Sequence, residues 1–125
     1  MSRTYLEGEL EDGVRFFGFE QASRLFGVMG IQDRGAVTLI RHAYTVPEAQ
    51  RKGIGSALIR HIIGAVSKPL LVGTWADAAW AVTFYENHGF SLVSTEEKNR
   101  LLRTYWTIPQ RQIDTSVVLV RPPPL

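Results

Sequence analysis

Residues 46–58 read VPEAQRKGIGSAL, and this stretch decides the fold. A β-prone run, residues 38–46 (TLIRHAYTV), stops at Pro47, and a glycine-bearing loop, residues 50–55 (QRKGIG), follows it. Apolar residues then recur at Ile54, Ala57, Leu58, Ile62 and Ala65, a helical spacing that predicts a helix over 51–65. The junction is strand, tight loop, helix N-terminus. The first amides of a helix have no carbonyl partner within it and lie at the positive end of its dipole, so such a junction suits a phosphate or pyrophosphate. Gly53 and Gly55 let the backbone turn sharply and a ligand come close, while Arg51 and Lys52 add positive charge. Many Gly-x-Gly turns are only turns, and other phosphate patterns fit less well. A P-loop needs four residues between its glycines and a Gly-Lys-Ser/Thr ending, whereas Gly53 and Gly55 are separated by Ile54 alone and Lys52 precedes them. A dinucleotide fingerprint wants a third Gly or Ala where Leu58 stands.

Working outward, residues 14–19 (VRFFGF), 24–31 (RLFGVMGI) and 36–46 read as three strands with turns at 21–23 and 32–35, an antiparallel meander. Residues 4–12 read as a short acidic helix or an extended lead-in, with Gly8 interrupting either. After the helix, residues 70–75 (LLVGTW) form a buried strand. Asp77 is placed to cap a second helix that carries Trp80, Ala81, Phe84 and Tyr85 and closes at Gly89. A strand at 90–93, a capping box at Ser94–Glu97 ahead of a helix over 98–106, and a strand at 113–120 complete the chain, with residues 121–125 a flexible tail. A meander followed by strand–helix units predicts a mixed sheet with helices packed on it, in one domain spanning 1–125.

Residues 50–55 resemble the Q/R-x-x-G-x-G/A acetyl-CoA signature of the GCN5-related N-acetyltransferases, the GNAT family, and so point to coenzyme A rather than ATP or NAD. Residues 81–90 (AVTFYENHGF) are similar to the family's second signature, A-x-x-F-Y-E-x-x-G-F, at the family's distance from the first. The resemblance covers residues 14–120. It implies an α/β (α+β) fold with a mixed, mostly antiparallel sheet flanked by helices, entered from the second strand and lacking the usual first strand and first helix. Residues 1–13 are then a lead-in remnant, and an exposed sheet edge makes a homodimer an expectation.

The resemblance also implies roles. Acetyl-CoA is the expected cosubstrate, with no metal. Tyr85 is the expected proton donor to the departing thiolate, since a phenol ordinarily titrates near ~10; the alternative is a core aromatic. Ala43, Tyr44, Thr45 and Val46 would pair with the pantetheine arm, with an amide near Val46 polarising the thioester. The pyrophosphate would lie on the amides of Arg51 to Ser56, with Gln50, Arg51, Lys52, Gly53, Ile54, Gly55 and Ser56 forming the cofactor loop. The base is chosen among His42, Tyr44 and Glu48; His42 is the nominee because histidine ordinarily titrates nearest neutrality, with a structural histidine as its alternative. Thr74 and Trp75 would line the acceptor cleft. The stretch 101–112 (LLRTYWTIPQRQ) resembles a recurring C-terminal segment of uncharacterised bacterial acetyltransferases, and either shapes the acceptor pocket or packs an edge. Ala78 stands just before the second motif where many members carry a coenzyme-touching Asn. The implied activity is acetyl transfer to a primary amine of a small molecule or peptide by direct attack; the competing reading is a non-catalytic coenzyme A-binding module or an inactive, truncated member.

Composition is that of an ordinary globular chain and excludes several classes. Charged residues at 21% and a net charge of +2 give no basic stripe for nucleic acid. There are no cysteines, hence no disulfide and no thiol nucleophile, and the three histidines lack metal-ligand spacing. No run approaches the ~20 apolar residues of a membrane span, and a cytoplasmic location is the expectation.

Overall fold

The computed structural model describes residues 3–9, 13–46 and 53–122. Seven strands form a single sheet in the order β1-β2-β3-β4-β5-β7-β6. The strands are β1 (Arg3–Glu9), β2 (Val14–Gln21), β3 (Arg24–Asp33), β4 (Thr38–Thr45), β5 (Leu70–Trp75), β6 (Ser91–Leu92) and β7 (Ser116–Arg121). The helices are α1 (Ile54–Ala65), α2 (Ala79–Glu86), α3 (Thr95–Tyr105) and α4 (Gln110–Asp114). Every pairing is antiparallel except β4 with β5, the crossover that α1 provides.

Residues 4–9 take the extended alternative rather than the helix. They form β1, paired with β2 from Arg3↔Gln21 to Glu9↔Arg15. The outer edge of the meander therefore lies one strand further out than the sequence suggests. Aromatic residues of β2 offer a ready partner: a Cβ added at Gly8 would run into the Phe16 ring, so the glycine that breaks a helical pattern is what lets β1 lie against that side chain.

Two cores lie on opposite faces. Alternation along β5 sends Leu70 and Val72 into one and Leu71 into the other. The first core joins Phe17, Phe19, Met29, Ile31 and Ile40 to the α1 residues Leu58, Ile59 and Ile62, and to Tyr85 and Phe90. The second joins Leu39, Leu71 and Val118 to Leu101 and Leu102 of α3 and Ile113 of α4. α3 starts as expected, with the Ser94 hydroxyl accepting from the Glu97 amide at 3.2 Å. Asp77 does not cap α2; Ala78 holds that position without a side-chain cap, and Asp77 is exposed. α4 was not anticipated: residues 113–115, read as strand, belong to α4 and its end, and β7 begins at Ser116. It is fixed by Lys98, buried, whose Nζ donates to the Ile113 carbonyl at 2.7 Å. Among the described residues, no helix is long and apolar enough to cross a membrane.

Candidate functional site: a cleft between splayed strands

β4 and β5 pair only at Thr38↔Leu70 and Leu39↔Leu71. Beyond those pairs the two strands hold no register and a cleft of about 1020 Å³ opens between them. A bulge in β4 contributes. Gly30 pairs with Arg41 and Val28 with Tyr44, so His42 and Ala43 together oppose Met29. His42 carries the extra residue at φ 55, a left-handed conformation that is costly for a residue with a Cβ.

The cleft is bounded by β4 from Arg41 to Thr45, by the start of α1 from Gly53 to Ser56, by Thr74 of β5, and by Phe84 and Tyr85 of α2. His42, Ala43, Tyr44, Thr45, Gly53, Ile54, Gly55, Ser56, Thr74 and Tyr85, all singled out from the sequence, meet at this one place. Gln50, Arg51, Lys52 and Glu48 lie outside the described residues. Val46 does not join the cleft. Its amide donates to the Phe26 carbonyl at 2.9 Å and its side chain packs on the first core, because alternation along the ladder turns that residue toward β3. The Val46 amide is thus already engaged, and an amide offered to a thioester would come from a neighbouring position of β4. Trp75 does not line this cleft either; it stands on the other face of β5, 62% exposed.

At the floor, Gly53 precedes α1 at φ 80, without a side-chain cap. The first α1 bond of this turn runs from the Ala57 amide to the Gly53 carbonyl at 2.9 Å, so the amides of Ile54, Gly55 and Ser56 are the ones a helix leaves without an internal partner. No acidic side chain occupies the first turn. Gly55 serves packing: a Cβ there would approach the Phe84 ring to 3.4 Å, so α2 sits close over the start of α1. Ser56 and His88 join the two helices through Oγ and Nε2 at 3.1 Å. Partial burial and then the nearby Arg60 charge hold the His88 imidazole below its usual range.

Tyr85 is 6% exposed, packed edge-on against Phe84 and Phe90. Burial pushes its phenol up to about 12, so it is a neutral donor throughout the physiological range. Arg41 and Trp80 also line the cleft and were missed. Arg41 donates through Nη1 to the Gln32 Oε1 at 2.8 Å. Trp80 was read from periodicity as one of the apolar positions of its helix, yet it is 79% exposed at the cleft; its place in the first turn beyond β5 was the available signal.

A second, smaller hollow of about 290 Å³ shares Gly73 and Thr74 with the walls of the cleft. Trp75, Trp106, Ile108 and Gln112 contribute to its walls. Along the segment 101–112, Leu101 and Leu102 pack the second core while Trp106, Ile108 and Gln112 border this hollow. Among the described residues no group of three or more His, Cys, Asp or Glu is placed to hold a metal ion.

A mixed sheet that splays at its one parallel pairing, with a helix N-terminus beneath the splay and a neutral tyrosine beside it, defines an acyl-transfer scaffold. The sequence profile of the acetyltransferase (GNAT) domain matches residues 1–104, and the chain belongs to that family. No curated protein matches the sequence. Among solved structures, the chain is similar to an IAA acetyltransferase from Bacillus cereus, at 17% identity and a TM-score of 0.72, with 97% of this chain and 99% of that one covered. It is also similar to the ribosomal-protein-S18-alanine N-acetyltransferase of Escherichia coli (19% identity, TM-score 0.69, 93% of this chain and 73% of that one). A third is a GNAT family acetyltransferase from Elizabethkingia anophelis with acetyl-CoA bound (19% identity, TM-score 0.69, 88% and 76%). At these identities the likeness is one of fold.

Proposed function

We propose that the chain is an acetyl-CoA-dependent N-acetyltransferase acting on a primary amine by direct attack, in the cytoplasm. The observation that carries this reading is the convergence of β4, the α1 N-terminus and Tyr85 on one cleft. The fit is chemical. The amides of Ile54, Gly55 and Ser56 suit a pyrophosphate, the β4 backbone beyond Leu39 has no β5 partner in register and suits an extended amide-bearing arm, and the volume suits a large cosubstrate. The thioester supplies an activated acetyl group. The neutral amine attacks its carbonyl carbon, a C–N bond forms, the C–S bond breaks, and Tyr85 gives its proton to the departing sulfur; the nitrogen, cationic once bonded, returns a proton to the Tyr85 phenolate through water. The amine, ordinarily protonated with a pKa of ~10.4, must first lose a proton; His42, on the bulge at the cleft wall, is the proposed acceptor of it, directly or through water.

Isothermal titration with acetyl-CoA beside a Gly53→Glu variant tests the cofactor half. Glutamate brings a carboxylate to the pyrophosphate position and a Cβ to a backbone at φ 80. Binding by the wild type and its loss in the variant is the expected outcome. Amine-dependent thiol release then separates catalysis from a coenzyme-binding module, which would bind and release nothing.

A further inference from the structure

The hollow beside Trp75 and Trp106 is unused by the chemistry above. It lies on the α3 face of β5, and Gly73 and Thr74 belong both to its walls and to those of the cleft between β4 and β5. We propose that it is the acceptor subsite and that it takes a flat, uncharged ring carrying a hydrogen-bond donor, on a molecule whose primary amine extends into the cleft. This rests on the N-acetyltransferase reading and names its substrate class.

Three observations carry it. The first is charge: among the described residues lining the hollow, none is ionisable, and its apolar walls come from two indoles, Leu102 and Ile108. A second ammonium or a carboxylate placed there would lose water without gaining a counter-ion, which disfavours polyamines and amino acids with charged side chains. The second is polarity. The Ser116 hydroxyl donates to the Gln112 carbonyl at 2.6 Å and the Thr115 hydroxyl to the Arg111 carbonyl at 3.1 Å. Each of these hydroxyls has one proton, so toward a ligand the two offer lone pairs and are met by a donor, while Gln112 and the two indoles add donors to the same lining. The third is size. At about 290 Å³ the hollow holds one ring system, and Gly73 keeps its floor low: a Cβ there would stand 3.6 Å from both Leu102 and Trp106 side-chain carbons.

Calorimetry on the full chain, with and without saturating coenzyme A, tests this with tryptamine, phenethylamine and putrescine as probes. Tryptamine, which has a ring N–H, binds about tenfold more tightly than phenethylamine, the equivalent of ~1.4 kcal/mol, and putrescine gives no binding heat. Trp106→Ala removes a wall and Ile108→Trp fills the hollow; each weakens tryptamine by about tenfold or more, with melting curves showing which variants are folded. Putrescine binding as tightly as tryptamine overturns the proposal. So does tryptamine affinity within about twofold of wild type in whichever variant is folded. Coenzyme A failing to bind while tryptamine binds as expected would instead overturn the acyl-transfer reading and leave the hollow an aromatic-amine site.

Discussion

Two side chains illustrate how single residues set the chemistry and the stability. Tyr85 is neutral because it is buried, and its proton is held to about 12. Tyr85→Phe keeps the ring packing and removes the donor, so kcat is expected to fall about 100-fold, the low end for a lost general acid, with the KM for acetyl-CoA nearly unchanged in steady-state assays. The same shift fixes a stability slope. The folded value lies above that of an unfolded tyrosine, near ~10, so stability is whole below that point and declines as pH rises from there toward 12; urea midpoints across the alkaline range should show the decline in wild type and less of it in the variant. The β2–β3 turn tells a different story. Ala22 and Ser23 both sit at positive φ, 53 and 63, in the place where glycine or asparagine is usual. Ser23→Gly should stabilise the chain by about 1 kcal/mol, read as a higher denaturation midpoint.

Among the elements, α4 is the one held by a buried charge: Lys98 of α3 reaches its Ile113 carbonyl. Lys98→Met removes the Nζ that donates to the Ile113 carbonyl and leaves that carbonyl without its charged partner. A loss of about 2 kcal/mol is expected by chemical denaturation, the range for bonds to charged groups. The α1–α2 contact through Ser56 and His88 carries a pH signature. Because the folded imidazole titrates below its usual 6.5, its share of stability is present above that value and is lost as pH falls through it; His88→Gln should flatten the acid side of the stability profile. These elements also show what could be read from the chain. The glycine loop, the capping box at Ser94 and the Tyr85 helix were legible because each rests on local rules: a turn that needs glycine, a cap that needs a hydroxyl, a helical period. β1 was not legible, since its strand identity comes from pairing with β2 rather than from its own pattern. Nor was α4, five residues long, too short for a period. Nor was the direction in which the amides near Val46 face, which depends on strand register, altered without trace in the sequence where two positions of β4 are spent on one of β3.

At the scale of the whole molecule, the candidate site was legible as a set of residues before it was legible as a place. The sequence supplied half of the cleft's lining, without Arg41 or Trp80, and the resemblance implied a splay, which the two strands show by parting after two pairs. β1 lies at the end of the sheet order, so pairing of a second copy along it is the homodimer this edge supports; a concentration-independent monomer in light scattering would end that proposal. The division into two cores reaches further. The cleft walls that the proposed function assigns to the coenzyme stand on one core and the walls of the hollow on the other, with Gly73 and Thr74 common to both. On the proposed reading, substitutions between residues 101 and 113 leave the donor half of the reaction alone, and a lineage built on this plan exchanges one acceptor for another by drift in that segment.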